Sequence, residues 1–110
     1  MRFACAGFVQ GLRAEQSLRL QVLAFALVLI ALGVFRPEPA WWALVILASA
    51  GVISAELINT AIERLADRLH PEVHPVIGMV KDCAAAGVLV AALAALAVAA
   101  ALLVHLIARG

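Results

Sequence analysis

Five of the seven acidic residues of this 110-residue chain fall within one stretch: Glu56, Glu63, Asp67, Glu72 and Asp82. Asn59 lies among them, Arg64 and Arg68 beside them, and Lys81 directly precedes Asp82. On a helix, Glu56, Asn59, Glu63 and Asp67 fall within about 80° of arc and form one polar stripe. Glu15 is a separate acid, four residues before Arg19. Carboxylates converging on one point favour Mg²⁺, which takes oxygen ligands and keeps waters or substrate phosphates. A lysine at the same level can meet phosphate oxygens as a point charge. Milder readings stand beside these. Glu63 and Asp67 could be a solvated face paired with Arg64 and Arg68, and Lys81 could be a salt-bridge partner only. Glu15 could be a simple i, i+4 pair with Arg19.

The surroundings sharpen the stripe. The chain is 66% hydrophobic and only 14% charged, with a mean hydropathy of +1.11. A soluble domain of this length needs more charge to cover its surface. The net charge of +1 gives no reason to expect a nucleic-acid partner. Glu56 therefore sits on an apolar segment of a membrane protein, where a carboxylate costs roughly 2.5–3.5 kcal/mol at the bilayer centre and less near its edge. Such a stripe must face protein or a watery cleft.

The elements that would carry it can be traced in order within a single domain, 1–110. Residues 1–17 alternate apolar and polar at helical spacing, with Phe3, Phe8 and Leu12 on one broad face, as a helix lying on the membrane surface does. Leu20–Phe35 is a first span of about 24 Å, slightly short of a ~30 Å hydrocarbon core, which Arg19 can complete by snorkelling. Pro37 and Pro39 cannot continue that helix, and Trp41 and Trp42 follow as interfacial anchors. A second span covers about 40–62, and its helix continues out of the bilayer through Asp67. The segment His70-Pro71-Glu72-Val73-His74-Pro75 breaks it. Residues 83–107 form a third span of Ala, Leu and Val, long enough to cross with some tilt. The expected fold is thus all-α: an amphipathic surface helix and three transmembrane helices.

Orientation follows from the basic residues. Arg2, Arg13, Arg19, Arg64, Arg68 and Lys81 lie on one side of this topology, against Arg36 and Arg109 on the other. The positive-inside rule places the N-terminus and the polar stripe in the cytoplasm and the C-terminus outside. No cleavage site follows the first apolar run, so that helix is expected to stay in the mature protein. Cys5 and Cys83 form no metal pattern and read as small buried fillers, and His70 and His74 read as loop residues. The phosphate-binding signatures GxxxxGK[ST] and GxGxxG are absent. The residues alone lead to an acidic and basic site at the membrane surface, without naming its ligand.

At these residues the sequence resembles the prokaryotic diacylglycerol kinase and undecaprenol kinase family. Glu56-Leu57-Ile58-Asn59-Thr60-Ala61-Ile62-Glu63, followed by Asp67, is similar to that family's E-x-x-N-[ST]-A-I-E-x-x-x-D signature. His74 with Lys81-Asp82 resembles its H-x6-K-D segment, and Phe3, Gly7 and Glu15-Gln16-Ser17-Leu18-Arg19 resemble its upstream elements. The resemblance covers nearly the whole chain. It implies a homotrimer in a bacterial inner membrane that uses ATP and Mg²⁺ to phosphorylate a lipid hydroxyl. By position it implies Glu56 as general base with Asn59 beside it, Glu15 and Glu63 as metal ligands, and Glu63, Asp67, Lys81 and Asp82 as the nucleotide site. Gln21 and Phe3 stand where other members carry Glu or His, and Tyr. Diacylglycerol, giving phosphatidic acid, is the first substrate expected. Undecaprenol is the alternative, because Ala84-Ala85-Ala86-Gly87 looks more like that branch.

Two other classes fit the residues less well. In a non-catalytic assembly protein, Glu56 and Asn59 would only bond helices together, at about 0.6 kcal/mol per contact on average, which poorly justifies three aligned carboxylates. An ion pathway would need polar residues through the outer leaflet, and Leu44–Ser49 and Val88–Leu103 supply almost none.

Overall fold

The computed structural model describes residues 1–110, and it is built of four helices with no strand. They are α1 (Arg2–Ala14), α2 (Gln16–Phe35), α3 (Pro39–Leu69) and α4 (Pro75–Arg109). The last three are each long and apolar enough to cross a membrane, with mean hydropathies of 2.4, 1.8 and 2.8 over their most apolar windows. The protein is an all-α membrane protein. At 1.5 Å per residue α3 and α4 are about 46 and 52 Å long, so each outruns a ~30 Å hydrocarbon core. The helices accordingly extend past the apolar segments. α4 begins eight residues before 83, which puts Lys81 and Asp82 inside it rather than at its opening.

Each break has a local cause. Between α1 and α2 only Glu15 leaves the helical region, at φ −120° and ψ 119°, and its N–H donates to the Gly11 carbonyl at 2.9 Å. The break thus falls inside the segment expected to be one surface helix. The terminal carbonyls of α1 need donors. Arg19 supplies them, reaching back to Leu12 O at 2.8 Å and Arg13 O at 3.1 Å. That is why Arg19 does not pair with Glu15. At the other turn, Arg36 closes α2 in the left-handed region (φ 51°, ψ 57°), and Pro39 opens α3 at its first position. Before α4, His74 Nδ1 accepts from the Val76 N–H at 3.1 Å, so this loop histidine acts as a helix cap.

α3 is the axis of the bundle. It packs along α4, receives α2 on another side, and α1 folds back across α2 and α3. α2 and α4 scarcely touch each other. Gly11 permits the fold-back, because a Cβ there would lie 2.9 Å from Cδ2 of both Leu18 and Leu57. Leu18 is fully buried as a result. Towards the Arg36 end, Leu32, Val45 and Leu102 form the core, with Trp41 and Trp42 against it. Only 9 of 110 residues are buried, and Leu47, Leu96 and Leu103 are more than half exposed. Water would penalise that surface, whereas lipid tails are as apolar as leucine. Both cysteines are free and exposed, which corrects their reading as buried fillers. Cys5 rides on the outward side of α1, and Cys83 sits on an exposed position of α4.

Candidate functional site

The polar stripe lies along α3 as the spacing requires, and over about 16 Å it climbs from Glu56 to Asp67. Glu56 is its deepest member and only 8% exposed. Its Oε2 accepts a hydrogen bond from Ser17 Oγ at 3.3 Å, and Ser17 stands in the first turn of α2. Its Oε1 is left without a hydrogen bond from the protein. One turn further along, Asn59 Nδ2 donates to Glu63 Oε1 at 3.3 Å. That bond fixes the direction of the amide and turns Asn59 Oδ1 the other way, buried and without a partner. An unpartnered buried acceptor costs about 1–3 kcal/mol. Such an oxygen suits a substrate hydroxyl or a hard cation.

The outer part of the stripe is held by cations from other elements. Lys81 of α4 donates to Asp67 Oδ1, so these two expected site residues do meet. Arg64 pairs with Glu15 at 3.2 Å and ties the α1–α2 corner to α3. Neither the i, i+4 pair of Glu15 with Arg19 nor a pairing of Arg64 with Glu63 or Asp67 forms. Asp82 and Arg68 make no ion pair and are exposed. Ser17, present in the sequence only as part of the Glu15–Arg19 motif with no role of its own, joins the site here. It carries no charge, and its partner is 39 positions away.

No group of three His, Cys, Asp or Glu side chains converges within the single chain. The donor set nevertheless fits a cation that needs few protein ligands. Mg²⁺ is commonly held by one or two carboxylates together with substrate phosphates. Glu63 accepts one hydrogen bond and Asn59 Oδ1 none. Glu15 is held only by an exposed ion pair, of the kind worth about 0–1 kcal/mol, and so is readily released.

Two hollows flank the stripe. A groove of about 620 Å³ runs between α2, α3 and α4, with sixteen of its eighteen lining residues hydrophobic. Its end nearest the site is lined by Gln21 and Val52. Gln21 lies one helical turn from Ser17, and Val52 one turn from Glu56. A second hollow of about 530 Å³ lies between α1 and α3, bounded by Gly7, Gln10, Gly11, Leu57, Thr60 and Arg64. Both are of a size that takes small ligands. Glu56 lines neither hollow, but its sequence neighbours do: Val52, one turn before it, borders the apolar groove, and Leu57 borders the partly charged cleft.

Residues 2–103 match the description "Prokaryotic diacylglycerol kinase" as a family. The chain is also 33% identical over 103 residues to a diacylglycerol kinase of Synechocystis sp. (strain ATCC 27184 / PCC 6803 / Kazusa). That stretch is 93% of this chain and 59% of the relative, so the chain spans less than two thirds of the length of that curated protein.

Proposed function

The chain belongs to the prokaryotic diacylglycerol kinase family, and we propose that it transfers the γ-phosphoryl group of ATP to the hydroxyl of a membrane lipid, in the first instance diacylglycerol. The observation that carries this reading is the buried Glu56 carboxylate one helical turn beyond Val52, which lines the end of an apolar groove that Glu56 itself does not line. A lipid alcohol would lay its tail in the groove and bring its hydroxyl to Glu56 Oε1. Glu56 would take the hydroxyl proton as oxygen attacks the γ-phosphorus, and the bond from that phosphorus to the bridging oxygen of ADP would break. Asn59 Oδ1 would orient the hydroxyl or a cation beside it.

Phosphoryl transfer needs mainly positioning and charge neutralisation, which suits a site with little covalent machinery. Glu15 and Glu63 would hold Mg²⁺, which when bound neutralises phosphate oxygens. Lys81 would exchange Asp67 for a phosphate oxygen, since their surface pair is weak. Asp82 would complete the nucleotide side. The distribution of basic residues argues for an N-terminus and site in the cytoplasm, where ATP is found, and the family resemblance for a bacterial inner membrane. The exposed apolar flanks leave room for the homotrimer that the family resemblance implies.

A second reading is favoured by the length of the groove. It extends from Gln21 to Phe35 along α2, about 21 Å, which is more than half of a ~30 Å hydrocarbon core. One long chain, as in a polyprenol such as undecaprenol, would follow it further than an acyl chain confined to one leaflet. The deciding experiment incubates the purified protein with labelled ATP, Mg²⁺ and either diacylglycerol or undecaprenol in mixed micelles. Label in phosphatidic acid supports the first reading and label in undecaprenyl phosphate the second. Label in neither lipid removes the kinase reading.

A further inference from the structure

Glu56 is the most enclosed charged group in the chain, yet only one side chain donates to it. A carboxylate in an apolar setting can rotate about its side-chain bonds unless something fixes one oxygen. Ser17 Oγ donates to Oε2 over a long 3.3 Å, and Oε1 accepts no hydrogen bond from the protein. The hydroxyl is itself well placed to be fixed. Its neighbour Leu18 is fully buried against Gly11, which anchors the first turn of α2 on α1 and α3. The first turn of a helix also carries unpaired N–H groups and a partial positive charge, which favours an anion nearby.

We infer that Ser17 is a positioning residue that aims the Glu56 carboxylate at the substrate hydroxyl. The inference rests on the proposed role of Glu56 as general base. Ser17 lies at the exposed rim of the site, where water can satisfy a hydroxyl in its absence. Its contribution to folding is therefore small, and its contribution to the orientation of Glu56 is what a substitution removes.

The test compares Ser17→Thr, Ser17→Val and Ser17→Ala with the parent in the lipid phosphorylation assay, alongside Glu56→Gln. Thr keeps the hydroxyl, Val copies the shape of Thr without it, and Ala suits a helix best if Val perturbs folding. Ser17→Val and Ser17→Ala are expected to lower kcat roughly tenfold, a part of the 10²–10⁴ that a positioned base contributes. KM for lipid and ATP and the thermal midpoint should stay unchanged, and Ser17→Thr should stay within about twofold of the parent on the same scale. Equal rates for the Thr and Val variants, or a rise in KM alone, would overturn the positioning role while leaving Glu56 as base. Full activity in Glu56→Gln would instead remove the base assignment, and the role of Ser17 with it.

Discussion

The two ends of the helix bundle are built from similar residues and differ in what those residues reach. At the end that holds Arg36, cations and rings close on the chain itself. Arg109 of α4 donates to the carbonyls of Phe35 and Arg36, and the His105 ring packs 5.3 Å from that of Trp41, although its Nε2, 3.2 Å from Glu38 Oε2, is buried without a hydrogen bond. These contacts strap the α2–α3 turn to the end of α4, where α2 and α4 would otherwise scarcely meet. At the Glu56 end the polar groups stop short of satisfying one another. Asn59 Oδ1 is buried without a partner, Glu56 Oε1 accepts no hydrogen bond, and Glu15, Asp67 and Lys81 are held only by surface pairs. Polar groups that close on each other hold a fold together. Polar groups left open in an apolar setting are costly, and such cost is usually retained where a ligand completes the set.

The contrast can be broken most sharply at Glu63. Glu63→Gln should lower phosphoryl transfer at least a hundredfold, in line with what single charge-stabilising groups contribute, and raise the Mg²⁺ concentration needed for half-maximal rate. Its thermal midpoint should be unchanged. A variant that loses stability but keeps its rate would move Glu63 to the structural side of the comparison.

Gly11→Val comes next, because it tests whether the open end depends on close packing beside it. A side chain there meets Leu18 and Leu57, so overpacking should lower unfolding stability by about 1–3 kcal/mol. Activity should fall with it, since the α1–α2 corner carries Glu15 and Ser17. Denaturation monitored by circular dichroism, read beside the rate, checks both.

At the strapped end the expected effects are smaller and confined to stability. Arg109→Gln removes the donors to Phe35 and Arg36 and should cost about 1 kcal/mol, with kcat unchanged well below the thermal midpoint. Arg36→Gly relieves a left-handed backbone and should raise stability by up to about 1 kcal/mol, again without touching the rate. A loss of activity from either, at unchanged stability, would erase the division between the two ends.

Much of this architecture could be read along the chain, because its signals are local. Proline pairs mark both long turns, apolar runs mark the three long helices, and helical spacing puts Glu56, Asn59, Glu63 and Asp67 on one stripe. What escaped reading were contacts between distant segments. Ser17 meets Glu56 across 39 positions, Arg64 meets Glu15 across 49, and Arg109 meets Phe35 across 74. Arg19 shows a different limit. Two partners compete for it, Glu15 one turn away and the free carbonyls of α1, and the kink at Glu15 decides for the carbonyls. The exposure of Cys5 and Cys83 is not legible in the sequence, because burial is a property of the packed surface, and in a membrane protein apolar residues need not be inside.

The central claim is that the open carboxylate end transfers phosphate to a lipid alcohol through Glu56. The most direct measurement follows label from γ-labelled ATP into extracted lipid, with the purified parent chain and its Glu56→Gln variant compared at equal protein and Mg²⁺. Labelled phospholipid is expected from the parent, and a rate lower by about 10²–10⁴ from the variant, with both proteins equally helical and equally stable. No labelled lipid from the parent, or equal labelling by the two, would contradict that claim.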